Sequence, residues 1–116
     1  KGPRGLVLVS DAVFALGLPS GSYRRGGTDY DLEDGAFRVR GGPLGGAVRS
    51  LRECVSFFAR DLKLPLEAAW RLASENPARL LGERRGVLAP GRPADLVLLG
   101  PGGRVKAVFL GGKRWK

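Results

Sequence analysis

Leu6-Val7-Leu8-Val9-Ser10-Asp11-Ala12 is the stretch on which the reading of the fold turns. Four apolar residues in a row predict a strand covered on both faces, as strands of parallel sheets are. A carboxylate stands at the carboxyl end of that strand. In barrels and open α/β sheets, the loops that shape a pocket leave from that end. Position therefore makes Asp11 a candidate catalytic residue. It equally makes Asp11 a cap for a turn or a following helix, a frequent use of aspartate.

The chain beyond Asp11 reads as alternating loops, hairpins and helices. Residues 11–27 are rich in Gly, Ser and Pro and read as a loop, with a helical turn possible at 12–16. Residues 28–40 read as a hairpin: Tyr30 and Leu32 alternate with polar neighbours, Asp34-Gly35 supplies the turn, and Phe37 and Val39 alternate on the return. Leu44-Gly45-Gly46-Ala47 reads as a bend of small residues. A helix is expected from Ser50, which with Glu53 forms a capping box; Leu51, Val55, Phe58 and Leu62 give it an apolar stripe. Pro65 suits the start of a second helix with Leu66, Ala69, Trp70 and Ala73 inward. Pro77 opens a short third helix that Gly82 closes. Residues 94–99 read as an apolar strand, Val105, Ala107 and Phe109 as an answering one, and Gly111-Gly112 as a turn into a last short strand ending near Trp115.

Composition narrows the classes of function. The chain has 116 residues and no Met. That is room for one modest domain, whereas a full (β/α)8 barrel needs roughly 200 residues. If the opening strand belongs to such a barrel, the chain is a piece of a longer protein. No apolar run approaches the roughly 20 residues that span a bilayer, and no signal-peptide pattern opens the chain; the cytoplasm is the expected compartment. Cys54 is the only cysteine and reads as a small buried side chain. The net charge of +9 is carried by scattered arginines that do not alternate with aromatics, so nucleic acid is not the expected partner. Asn76 before Pro77 reads as a helix cap, and Asp95 as a residue fixing its own turn.

Three blocks together carry a resemblance: Ser10-Asp11-Ala12 followed by Gly17-Leu18-Pro19-Ser20-Gly21-Ser22-Tyr23, then Asn76-Pro77-Ala78, then Gly86-Val87-Leu88-Ala89-Pro90-Gly91-Arg92-Pro93-Ala94-Asp95-Leu96. The last two are similar to the tail of many amidohydrolases. The first narrows the likeness to the N-acetylglucosamine-6-phosphate deacetylases of the amidohydrolase superfamily. The resemblance implies an α/β chain: the C-terminal fragment of a (β/α)8 barrel, with its last strand and helices, over residues 1–82. A hairpin insertion at about 28–40 interrupts it, and strands of a small β-sandwich follow over 83–116.

It also implies chemistry. Amide hydrolysis needs an activated water, charge stabilisation at the carbonyl oxygen, and a proton for the departing amine. The likeness assigns the proton shuttle to Asp11 and a substrate-contacting loop to Leu44, Gly45 and Gly46, where small residues admit a sugar close to the backbone. It departs from the family at Gly45 and Ala47, where Ala and Ser are usual. The complete enzyme is expected to hold a divalent, zinc-like metal through a Glu and two His. This chain has no histidine, so no metal ligand is assigned here and the isolated chain is expected to be inactive. The implied substrate is an amino-sugar phosphate. The implied protein partners are the missing N-terminal portion or further copies of the chain, with no membrane. The other reading is a non-catalytic, self-associating module whose basic surface has weak affinity for nucleic acid.

Overall fold

The computed structural model describes residues 2–115. The chain divides into two compact units, one of residues 9–54 and one of residues 1–8 with 55–116. Helices and two antiparallel sheets make it α/β, and no parallel sheet is present among the described residues.

The first unit is a four-stranded meander in the order β1-β2-β3-β4: Gly21–Arg25, Thr28–Glu33, Ala36–Val39 and Leu44–Ala47. The hairpin expected at 28–40 is β2 and β3, with Leu32 opposite Phe37. Its turn residues Asp34 and Gly35 both have positive φ (50° and 73°), the geometry that matches strand twist in a two-residue loop. Two strands went unread. Gly26-Gly27 is a second tight turn, which puts β1 inside the stretch read as a loop. The supposed bend at 44–47 is β4. There Gly46 pairs with Phe37 and Leu44 with Arg38, which leaves Gly45 as the extra residue of a β-bulge. Ala15, Leu32 and Phe37 are buried at the centre, with Val13, Tyr23, Tyr30 and Val48 packed around them. Tyr30 stacks on Phe37 at 4.7 Å, and Phe14 meets both rings edge to face.

On the exposed side, Arg40 makes a two-pronged bond to Asp31 (2.9 and 3.1 Å), and the Ser22 hydroxyl donates to the same carboxylate at 2.7 Å. These donors hold the Asp31 carboxyl down at about 2, from an ordinary value of 3.8, and the Arg40 guanidinium is raised in return.

Helix α1 (Leu51–Arg60) begins as its capping box requires. Ser50 Oγ accepts from the Glu53 amide, and Glu53 accepts from the Ser50 amide (2.7 Å) and hydroxyl (2.6 Å). Those two donors lower the Glu53 carboxyl below the usual range. Val55 is buried, but Leu62 lies past the helix end and is exposed, so the stripe is one turn shorter than its spacing implies.

The second unit holds α2 (Leu66–Ala73), α3 (Glu75–Leu80) and a three-stranded sheet β5-β6-β7: Leu96–Leu99, Val105–Leu110 and Lys113–Arg114. Ala69 and Leu72 carry the buried side of α2 while Leu66 is exposed, a shift of the apolar face by part of a turn. Helix α3 starts at Glu75, two residues before Pro77.

Residues 6–10 form no strand. Val9 is 70% exposed, and Leu6 and Val7 are also exposed. The reason is that a doubly covered strand needs neighbours on both edges, and the described residues offer none. The segment is held instead by the Leu8 amide donating to the Leu72 carbonyl (2.8 Å) and by Asn76. The Asn76 side chain does not cap α3. It is 5% exposed and donates to the carbonyls of Pro3 (2.8 Å) and Leu6 (2.6 Å) while accepting from Arg79 (3.1 Å). Asp95 likewise serves distant groups, accepting from the Gly111 amide (2.8 Å) and from Arg85 (3.1 Å).

Candidate functional site

Asp11 and the loop of Leu44, Gly45 and Gly46 are far apart in sequence, and the first unit brings them together. The Ala47 amide donates to the Asp11 carbonyl and the Val13 amide to the Ala47 carbonyl, both at 2.9 Å. This is an isolated parallel bridge of Ala12 with Ala47, beyond the run Leu6 to Val9 that was expected to pair.

The glycines make that approach possible. Gly46 has φ of +134°, and a Cβ there would stand 2.3 Å from Val13 Cγ1 and 3.2 Å from the Asp11 carbonyl oxygen. A Cβ on Gly45 would lie 3.2 Å from the Phe37 ring. Both glycines thus have packing reasons of their own, beside any approach of a sugar. Leu44, by contrast, keeps its side chain exposed.

Asp11 itself sits in the left-handed region at φ 51°, which aspartate and asparagine tolerate better than most residues. It is exposed, and a turn at 14–17 follows it rather than a helix. The local backbone bond is made by Ser10, whose hydroxyl accepts from the Ala12 amide at 3.3 Å. The Asp11 carboxylate is open to solvent, on a backbone tied to Ala47 by two sheet-type bonds.

No group of three or more His, Cys, Asp or Glu able to hold a metal exists among the described residues. The donor set of the described residues does not by itself fit a metal centre. Nor, among the described residues, is any helix long and apolar enough to cross a membrane. Sequence reading missed the Asn76 clamp and the Arg40–Asp31 pair. An Asn beside Pro carries a cap signal that hid the first; alternation of Asp29, Asp31 and Arg38, Arg40 along β2 and its return was the available sign of the second.

The amidohydrolase family model matches residues 27–115, most of the chain. The chain belongs to the amidohydrolase family.

Among known proteins it is 37% identical to the N-acetylglucosamine-6-phosphate deacetylase of Bos taurus, over 96% of this chain and 28% of that protein. It is 32% identical to a putative N-acetylgalactosamine-6-phosphate deacetylase of Escherichia coli, over 93% of this chain and 66% of that protein. Of solved structures, the N-acetylglucosamine-6-phosphate deacetylase of Thermotoga maritima superposes with a TM-score of 0.89 at 30% identity, over 98% of this chain and 32% of that one. A Mycobacterium smegmatis deacetylase, an aspartate-to-alanine mutant in complex with N-acetyl-D-glucosamine 6-phosphate, gives 0.85 at 36%, over 97% and 31%. The chain spans under a third of the length of the bovine relative.

Proposed function

We propose that this chain is the C-terminal part of a metal-dependent deacetylase that hydrolyses N-acetylglucosamine 6-phosphate to glucosamine 6-phosphate and acetate. The observation that carries the reading is the bridge between Ala12 and Ala47, which seats Asp11 beside the glycine loop. Asp11 takes a proton from the attacking water and delivers it to the departing amine. Leu44, Gly45 and Gly46 border the sugar. Residues 1–82 close the barrel and residues 83–116 belong to the small β-sandwich. The divalent metal is held by residues outside this chain, which therefore has no turnover alone. The exposed run of Leu6, Val7 and Val9 is the surface on which the remaining barrel pairs.

The likeness to deacetylases at both the sequence and the structural level supports this reading. So does the mycobacterial relative, an aspartate-to-alanine mutant in complex with N-acetyl-D-glucosamine 6-phosphate.

The test is complementation. The chain is mixed or fused with the histidine-bearing barrel portion of a relative, and acetate release is measured. Restored turnover that Asp11→Asn lowers by roughly 10²–10⁴-fold, the range for a general acid/base, is the expected result. Asparagine is the right replacement because it tolerates the same positive φ, so folding is preserved. Restored turnover that survives Asp11→Asn removes the assignment.

A further inference from the structure

Among the described residues the Asp11 carboxylate has no hydrogen-bond or ion-pair partner. A side chain without a partner takes its direction from its backbone, so whatever fixes Asp11-Ala12-Val13-Phe14 fixes the proposed proton carrier. One tie is the backbone bridge to Ala47. A single rung between two segments leaves them free to swing about it, and a second tie is needed to stop that motion. We propose that Phe14 is the second tie, a positioning residue that acts through Asp11 rather than on the substrate. The role rests on the deacetylase reading; the placement rests on contacts within the first unit alone.

Three strands hold the Phe14 ring. It meets Tyr30 of β2 edge to face at 5.9 Å and Phe37 of β3 edge to face at 5.1 Å. The Arg25 guanidinium of β1 lies over it, 4.6 Å from the centroid. Edge-to-face pairs and a stacked cation set the direction of a ring as well as its distance; an aliphatic side chain in the same place has no such preference. The seat is itself firm. Tyr30 and Phe37 stack on each other at 4.7 Å, and Phe37 is buried. Phe37 also pairs with Gly46, the neighbour of the Ala47 that carries the bridge. Residues 11–14 are thus tied twice to one sheet, through the backbone of Asp11 and Val13 and through the ring of Phe14.

The fold does not depend on this ring. The buried centre is Ala15, Leu32 and Phe37, and Phe14, at 39% exposed, lies at its rim. Replacing the ring should therefore move Asp11 more than it unfolds the sheet. Proton transfer requires heavy atoms within about 2.6–3.2 Å, and a misplacement of about 1 Å costs on the order of 10²-fold in rate. Leu44 and Gly46 keep their places by pairing with β3, so the loss should fall on kcat and spare KM.

The experiment has two arms. In the complemented enzyme, Phe14→Leu, which keeps apolar bulk without the ring contacts, is expected to lower kcat about 10- to 100-fold with KM within about twofold. Phe14→Tyr keeps the ring and should restore most of the rate. In an Asp11→Asn background Phe14→Leu should cost nothing further, because a residue that works through Asp11 has nothing left to position. A kcat that ignores Phe14→Leu, or an equal loss in both backgrounds, overturns the proposal. In the chain alone, hydrogen exchange of the Val13 and Ala47 amides, the two bridging donors, should quicken at least tenfold in Phe14→Leu while the protected amides of β2 and β3 change less than twofold. Unchanged exchange at Val13 and Ala47 overturns the proposal, and faster exchange throughout the sheet does so as well, since it gives Phe14 a structural role only. Turnover that is absent, or that survives Asp11→Asn, counts against the deacetylase reading and leaves the exchange arm to decide whether Phe14 holds the segment.

Discussion

Replacing Gly46 by alanine adds one methyl group at the point where β4 meets the residues after Asp11. Two separate costs follow. Alanine at a φ of +134° occupies backbone space that L side chains avoid, at roughly 1–3 kcal/mol. The new Cβ would also stand 2.3 Å from Val13 Cγ1, well inside van der Waals contact, and forcing an extra methyl into a packed site costs about 1–3 kcal/mol. The sum is about 2–6 kcal/mol. At roughly 0.05–0.15 kcal/mol per residue, a unit of residues 9–54 has only about 2–7 kcal/mol to lose. Gly46→Ala should therefore leave the four-stranded sheet largely unfolded or close to it. Urea unfolding, followed through the amide signals of β1 to β4, measures the change. The double variant Val13→Ala/Gly46→Ala separates the two costs, because the first substitution removes the colliding methyl and leaves the backbone cost in place. It should show a favourable coupling of about 1–3 kcal/mol relative to the sum of the singles. A loss below about 0.5 kcal/mol for Gly46→Ala, the size of an ordinary surface substitution, refutes the reasoning. Absence of coupling in the double variant refutes the steric half.

The Asp31 carboxyl, held at about 2 by Arg40 and Ser22, binds a proton less readily folded than unfolded. Its stabilising contribution is complete above its ordinary value of 3.8 and is lost as the pH falls toward 2; carboxyl titration by NMR should show Arg40→Gln moving the Asp31 midpoint upward. Asn76→Ala removes the side-chain donor to the Leu6 carbonyl and one of two donors to the Pro3 carbonyl, which keeps the Leu6 amide at 3.3 Å. At about 0.5–1.5 kcal/mol for each hydrogen bond lost, the urea midpoint should drop, whereas Asn76→Ala with an unchanged midpoint would show that water replaces the side chain. Ser50→Ala removes both the acceptor of the Glu53 amide and a donor to its carboxylate. The expected cost is about 0.5–2 kcal/mol, and the Glu53 carboxyl should rise toward its ordinary range.

Much of the fold was legible because its signals are local. The Ser50 and Glu53 pair marks a helix start with side chains that bond only to each other's surroundings. Asp34-Gly35 specifies a two-residue turn from its own backbone preferences, and Pro65 suits a helix opening wherever it stands. The features that escaped are those whose meaning depends on a distant partner. Leu44-Gly45-Gly46-Ala47 looks like a bend because glycine disfavours strands. It is a strand because it pairs with Ala36 to Arg38 of β3, and Val13 fills the space that a side chain at Gly46 would need. Asn76 has the composition of a cap, and its true acceptors, the Pro3 and Leu6 carbonyls, are some seventy residues away. For the site, proximity of Asp11 to the glycine loop came from likeness to a family, and no spacing in the sequence gives it. The bond between the Ala47 amide and the Asp11 carbonyl is its physical cause.

The run Leu6-Val7-Leu8-Val9 makes the same point from the opposite side. Its composition encodes a strand, yet the segment is unpaired by any neighbouring strand among the described residues, and Leu6, Val7 and Val9 are exposed. A helix satisfies its own backbone donors, so a helical pattern can be honoured by one segment. A strand's amides must find carbonyls on another segment, so a strand pattern states a demand that only a partner can meet. The fused or mixed barrel portion in the complementation assay supplies such a partner. Protection of the amides of Leu6 to Val9 from hydrogen exchange should then rise together with the recovered turnover. Recovered turnover with those amides still exchanging freely would mean that Asp11 reaches its working position through the Ala12–Ala47 bridge alone.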